Sequence, residues 1–126
     1  MFDKDPDNIQ RPILDSTAQS FEVPANKGAY LHGSFNASWE QAAIVYADGA
    51  RVGQIGSYNR PTFLVVGKKP TKQTVTIAGW HKRGGPNGSL PWNASRGRKA
   101  GNIVIGFDDS GDDGDFNDCI VKVVID

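Results

Sequence analysis

The stretch Ile105-Gly-Phe-Asp-Asp-Ser-Gly-Asp-Asp-Gly-Asp-Phe-Asn-Asp-Cys-Ile-Val-Lys-Val-Val-Ile125 places an acidic loop between two apolar segments. After the loop, every second residue from Cys119 to Ile125 is apolar, and Lys122 lies on the other face of the predicted strand. Before the loop, Ile103, Ile105 and Phe107 share one face in the same way. The pattern predicts two half-buried strands that fix both ends of the loop.

The rest of the chain consists of short β-type runs bounded by glycine, proline, asparagine or aspartate. The predicted strands are Phe21–Val23, Tyr30–Asn36, Ala42–Ala47, Arg51–Gly56, Thr62–Val66, Thr74–Lys82, Asn102–Asp108 and Cys119–Ile125. Asp48-Gly49 predicts a two-residue hairpin, because both residues tolerate positive φ. With 15 glycines and 7 prolines between β-branched runs, the fold class is all-β, an antiparallel sandwich.

The 126 residues suffice for one domain. Residues 1–18 are polar and punctuated by proline, and we interpret them as an N-terminal arm that precedes a β-sandwich domain at 19–126. The longest interruption between predicted strands is Gly84–Gly101, which includes Trp92. A loop of that length is usually functional or mobile.

The acidic loop has the composition of a hard-cation site. Asp113, Asp115, Asn117 and Asp118 supply oxygen ligands, and Gly114 allows a tight turn. Calcium takes roughly six to eight oxygens in flexible geometry. Glycine and glutamate are absent from the positions that an EF-hand requires, so the ion would lie between loops of a β fold with a further ligand from elsewhere in the chain.

Composition excludes several other classes of function. Formal net charge is zero, and one basic stretch beside Trp92 falls short of a nucleic-acid-binding face. Cys119 is the single cysteine, so we expect a buried hydrophobe and no internal disulfide. His32 and His81 both lie outside the acidic motif, which argues against a metal-dependent hydrolase and against an enzyme in general.

The start of the chain, Met1-Phe-Asp-Lys-Asp-Pro-Asp7, is too charged for a signal peptide. No apolar run approaches the roughly 18 residues of a membrane span. We therefore expect synthesis in the cytoplasm without membrane insertion, and any release to the cell surface by a route that needs no signal peptide.

Two stretches of this sequence resemble the calcium-mediated fucose- and mannose-binding soluble lectins of bacteria. One is Phe21–Ser38, which is similar to that family's opening Phe-x-Leu-Pro-Ala-Asn strand and to the next strand, which ends in asparagine and two small residues. The other is Gly106–Val121, similar to the family's acidic loop, with Phe116 in the place of a tyrosine. Residues 40–102 match only as a pattern of strands.

The resemblance implies a Greek-key sandwich of about nine strands, in which one or two Ca2+ ions bind sugar hydroxyls directly. The implied metal ligands are Asn36, Asp108, Asp109, Asp113, Asp115, Asn117 and Asp118. Asp108 and Asp109 remain alternatives for one position, because the chain departs from the family pattern there. The implied sugar-binding residues are Ala37, Ser38, Trp39, Asp109, Asp113 and Asp115.

The resemblance also bears on sugar preference and assembly. Alanine at position 37 looks like the members that prefer mannose, because a hydroxyl there favours fucose. In the family a C-terminal carboxylate completes the site of a neighbouring subunit, so Asp126 is a candidate inter-subunit ligand in a homodimer. The expected partners are mannose- or fucose-containing glycans. The alternative function is a calcium-stabilised interaction or structural module that binds no glycan.

Overall fold

Two five-stranded antiparallel sheets form the protein in the computed structural model, which describes residues 18–35, 40–56, 62–82, 93–100, 104–108 and 119–126. These residues contain no helix, and therefore no helix long and apolar enough to cross a membrane. The strands are β1 Ala18–Val23, β2 Ala29–Phe35, β3 Glu40–Ala47, β4 Ala50–Ile55, β5 Phe63–Val66, β6 Gln73–Lys82, β7 Asn93–Ala94, β8 Arg96–Ala100, β9 Val104–Asp108 and β10 Cys119–Ile125.

The strand order explains how distant parts of the sequence meet. Sheet A has the order β1-β6-β3-β4, with β7 paired to β6, and sheet B has the order β5-β2-β10-β9-β8. Strands far apart in the chain are thus neighbours, as in the pairs β1 with β6 and β2 with β10. The predicted all-β sandwich of about nine strands is confirmed, since nine strands of at least four residues and the two-residue β7 are described.

The core lies between the sheets and follows the predicted alternation. In β10, Cys119, Val121 and Val123 are buried, whereas Lys122 is exposed. Ile105 and Phe107 of β9 are fully buried in the same cluster, and Ile103 lies outside the described residues. The prediction that Cys119 is a buried hydrophobe is confirmed. Burial of these side chains stabilises each by about 1.5–3 kcal/mol relative to exposure.

The hairpin predicted at Asp48-Gly49 is confirmed. Ala47 pairs with Ala50 across a two-residue turn, and the φ angles are 50° at Asp48 and 85° at Gly49. Positive φ at both central residues is the geometry of a type I′ turn. The Asp48 carboxylate also accepts a hydrogen bond of 2.9 Å from the backbone N–H of Thr74, which ties the turn to β6.

The interpretation of residues 84–101 as one long interruption was wrong for its second half, where β7 and β8 lie. The sequence Arg96-Gly-Arg-Lys-Ala100 has neither β-branched residues nor apolar alternation. It pairs with β9 over five residues and forms the edge of sheet B. Charged residues are typical of edge strands, which have a neighbouring strand on one side only. A search for alternating apolar residues does not detect such a strand.

Candidate functional site

One end of sheet B brings together three chain positions that flank the predicted ligands. Cys119 of β10 pairs with Phe35 of β2 on one side and with Phe107 of β9 on the other. Neighbouring strands are about 4.8 Å apart, so these three residues form a row roughly 10 Å wide. In the sequence Asn36 follows Phe35 directly, Asp108 follows Phe107, and Asp118 precedes Cys119.

Most of the predicted ligands and sugar contacts lie outside the described residues, and their placement stays a prediction. They are Asn36, Ala37, Ser38, Trp39, Asp109, Asp113, Asp115, Asn117 and Asp118. Only the backbone of Asp108 is described, at the end of β9, where the register places it opposite Arg96 of β8. Within the described ranges, no group of three His, Cys, Asp or Glu side chains could hold a metal ion.

The Phe107 ring fixes the end of β9, one residue before Asp108. Its side chain is fully buried. An added Cβ at Gly79 of β6 would lie 2.6 Å from Phe107 Cγ, and one at Gly97 of β8 would lie 2.9 Å from Cε1. Real Cβ atoms do not approach so closely, so only glycines leave room for the ring at these two positions. Close packing of this kind holds the strand end in one position.

Phe35 anchors the end of β2 in a similar way. Its ring is packed against the core, and Gly33 and Gly56 lie against it. A Cβ at Gly33 would meet Phe35 Cζ at 3.2 Å, and one at Gly56 would overlap the ring. Gly56 also has a φ of 78°, which disfavours any other residue. Both strands that lead into the predicted site therefore end with a phenylalanine whose ring packs against glycine residues.

His81 belongs to the wall of the sandwich. It is 3% exposed, and its Nδ1 lies 2.9 Å from the Ser95 hydroxyl. This hydrogen bond joins the end of β6 to the start of β8. Sequence reasoning missed this role because Ser95 lies in the segment interpreted as a loop.

The two histidines considered for hydrolysis lie in different environments. His32 is exposed on sheet B, opposite Lys122 and Phe63, whereas His81 is buried on sheet A. The structure does not bring them together.

The terminal residue, Asp126, lies at the opposite end of sheet B from the row of Phe35, Cys119 and Phe107. Its backbone N–H and C=O both pair with Gly28 at 3.1 Å. Between them, β10 spans seven residues, roughly 20 Å of extended chain. Asp126 is therefore far from the strand ends that flank the acidic loop in its own chain.

Comparison with known proteins supports the resemblance. The family model for fucose-binding lectin II (PA-IIL) matches residues 21–125. Among solved structures, the fold is similar to the Chromobacterium violaceum lectin CV2L, solved in complex with α-methyl-fucoside, with 21% identity and a TM-score of 0.49. That match covers 82% of this chain and 92% of the lectin. A search of curated proteins found no match. Because the family model covers most of the sequence, the chain belongs to the fucose-binding lectin II family and is a carbohydrate-binding lectin, not an enzyme.

Proposed function

We propose that this lectin binds its sugar through calcium held at the end of sheet B. The observation that carries the proposal is the register that aligns Phe35, Phe107 and Cys119 in one row. Asn36 and the start of the acidic loop at Asp108 are 72 positions apart in the sequence (108 − 36), yet each follows directly on a residue of that row. The residues that would hold the metal are Asn36, Asp109, Asp113, Asp115, Asn117 and Asp118, with Asp108 as the alternative to Asp109.

The donor set suits calcium and disfavours softer metals. All of these side chains offer oxygen, and the lone thiol, Cys119, is buried in the core. Two carboxylates about 4 Å apart repel by roughly 4 kcal/mol at an effective dielectric near 20. When bound, calcium would offset that repulsion and accept sugar hydroxyls as further oxygen ligands. The anchored ends of β2 and β9 reduce the entropy lost when the loop is ordered.

The register favours Asp109 over Asp108 as the ligand. Arg96 is directly opposite Asp108 in the pairing of β8 with β9. Opposite charges at directly opposed positions stabilise a pair of strands by about 0.2–1 kcal/mol. Asp109 follows the last residue of β9 in the sequence and lies outside the described residues. The proposed metal ligand is therefore Asp109, with Asp108 as the alternative.

Mannose is the proposed preferred sugar. Ala37 offers no hydroxyl at the position where the resemblance associates a hydroxyl with fucose. Ser38 and Trp39 follow directly and would border the bound sugar, beside Asp109, Asp113 and Asp115. Titration with mannose and fucose tests this proposal, because tighter binding of fucose would contradict it.

A homodimer is the proposed assembly. The Asp126 side chain is remote from the strand ends that border the proposed site of its own chain, which is consistent with a role in another subunit. On the outer face of sheet B, Val124, Tyr30 and Val65 are direct cross-strand neighbours, 61%, 54% and 48% exposed. A contiguous exposed apolar surface is typical of a protein–protein interface. Sedimentation of the wild type and of Tyr30→Asp tests the proposal, since an unchanged mass would refute this interface.

Thermal melting separates the lectin mechanism from a calcium-stabilised module without glycan binding. We expect calcium to raise the melting temperature relative to chelator, and mannose to raise it further in calcium only. A ligand of the native state must add RT ln(1 + [L]/Kd) to stability. An increment from calcium without one from any sugar would favour the module.

Asp115→Ala provides the direct test of the site, with calorimetric titration of sugar as the measurement. Glu22→Gln is the control, because it removes one carboxylate on β1, whose partner is the exposed Lys72 at 3.4 Å. Exposed pairs of this kind contribute about 0–1 kcal/mol. We expect Asp115→Ala to abolish sugar binding and Glu22→Gln to preserve it. Binding retained in Asp115→Ala would place the site elsewhere.

A further inference from the structure

The chain crosses from sheet A to sheet B at Ser95. Residues 93–94, which form β7, pair with β6 in sheet A, and residues 96–100, which form β8, pair with β9 in sheet B. Ser95 is the residue between these two strands. A chain that changes sheets must bend away from the first sheet, so the position of β8 depends on the contacts that hold this residue.

Two contacts hold Ser95 against the end of β6. Its backbone N–H donates a hydrogen bond of 2.9 Å to the Gly79 carbonyl, and its hydroxyl lies 2.9 Å from Nδ1 of His81. Both side chains are buried, with 1% of Ser95 and 3% of His81 exposed. Buried polar groups that lose each other as partners are costly, because water does not replace the bond. The contact therefore holds Ser95 in one place.

The residues that follow Ser95 lead directly to the predicted site. Arg96 is paired with Asp108, the last residue of β9. Consecutive Cα atoms are about 3.8 Å apart, and paired residues on neighbouring strands are at most about 5.5 Å apart. The Cα atoms of Ser95 and Asp108 are therefore separated by no more than about 9 Å. A displacement of Ser95 would reach the start of the acidic loop through a single residue of β8.

The Phe107 ring is in contact with the same part of the structure. It lies against Gly79, whose carbonyl accepts the hydrogen bond from Ser95. Gly97 of β8 is paired with Phe107 and also packs against the ring. On its other side Phe107 is paired with Cys119, which follows the acidic loop in the sequence. The strand ends on both sides of the loop are thus connected to the point where Ser95 joins β6.

The other end of β6 contains a second buried hydrogen bond, which provides a comparison. Gln73 is 0% exposed, and its Nε2 donates a hydrogen bond of 2.8 Å to the Gly67 carbonyl. Gln73 is the first of the ten residues of β6, and His81 is the last but one. The two residues are roughly 27 Å apart along the extended strand. Both bonds involve a buried side chain of the same strand, but the bond of His81 is the one that lies beside the end of β9.

We propose that His81 and Ser95 are positioning residues of the sugar-binding site. Their hydrogen bond fixes the start of β8, and the pairing of Arg96 with Asp108 passes that position on to the end of β9 and the start of the acidic loop. This role rests on the proposed function, in which the loop holds the calcium that binds the sugar. Residues behind the ligands of a metal orient those ligands, and a loop that is poorly held loses more entropy when the ion binds.

The first experiment compares Ser95→Ala with Gln73→Met, each of which removes one buried hydrogen bond of β6. Calorimetric titration measures the affinity for calcium, and then for mannose and fucose in excess calcium, at a temperature where both variants are folded by circular dichroism. We expect both variants to melt below the wild type. Ser95→Ala should bind calcium roughly 10-fold more weakly, whereas Gln73→Met should keep the affinity of the wild type. Equal calcium affinities of the two variants would overturn the proposal.

The second experiment keeps the test decisive if Ser95→Ala does not fold. His81→Asn keeps a polar side-chain atom that can bond the Ser95 hydroxyl, and His81→Leu has none. We expect His81→Asn to retain most of the calcium affinity and His81→Leu to lose roughly 10-fold. A wild type that binds no calcium would overturn the proposed function together with this inference. Calcium-dependent sugar binding by the wild type, with the same affinity in His81→Asn and His81→Leu, would overturn this inference alone.

Discussion

The substitution Gly79→Ala tests whether the packing of Phe107 holds the binding end of sheet B. The new Cβ would lie 2.6 Å from Phe107 Cγ, and Gly97 also lies against the ring. Because the ring is fully buried, it cannot turn into solvent. Overpacking of a core usually costs about 1–3 kcal/mol. For a domain of this size, that corresponds to a melting temperature lower by roughly 3–15 °C.

Gly67→Ala is the matched control. An added Cβ there meets nothing within 4 Å, and Gly67 is not among the glycines with positive φ. We expect its stability to change by less than about 1 kcal/mol, in the stabilising direction. Differential scanning calorimetry of both variants, with and without calcium, is the assay. Since Phe107 leads into the acidic loop, Gly79→Ala should also weaken the stabilisation by calcium.

Two results would refute this reasoning. If Gly79→Ala and Gly67→Ala melt at the same temperature as the wild type, the Phe107 ring is not confined by Gly79. If Gly79→Ala is destabilised but retains the full increment from calcium, the position of Phe107 does not determine the site.

Three further predictions concern single side chains. Asp109→Asn should abolish stabilisation by calcium, whereas Asp108→Asn should preserve it and reduce stability by about 0.2–1 kcal/mol, as melting in calcium and chelator will show; the reverse pattern would make Asp108 the ligand. Ala37→Ser should shift the ratio of mannose to fucose affinity towards fucose in calorimetric titration, and an unchanged ratio would contradict the role of residue 37. Ser95→Ala removes a buried hydrogen-bond partner of His81, so unfolding in denaturant should show a loss of about 1–3 kcal/mol, and no loss would contradict that contact.

The fold was largely predictable because most of its strands follow local rules. Alternation in β10 identified its buried face, and Asp48-Gly49 identified the hairpin from residues that tolerate positive φ. The sequence missed β7 and β8 entirely, because neither has an apolar stripe of its own, and it placed the starts of β1 and β3 too late, at Phe21 and Ala42 instead of Ala18 and Glu40. Alternation of apolar and polar residues indicates which side chains are buried, and an edge strand made of charged residues shows no such alternation.

The candidate site was predictable in composition but not in arrangement. Clustered carboxylates predict a hard-cation loop from the sequence, because a bound cation offsets their mutual repulsion. His81, by contrast, was considered only as a possible hydrolytic group, and its burial and its contact with Ser95 show it to be part of the wall. Burial and long-range partners are not encoded in the identity of a single residue.

The sequence by itself determined the two strands with buried faces that flank the acidic loop and the residues that resemble a sugar-binding family, and it predicts oxygen ligands in that loop. Only the tertiary structure decided which strand ends meet, through the register of β2, β10 and β9, and that Asp126 lies at the far end from its own loop. The physical reason is that strand pairing joins residues far apart in the chain. The register of the strands depends on how the two sheets pack together. The Phe107 ring, which packs against Gly79 and Gly97, is one example.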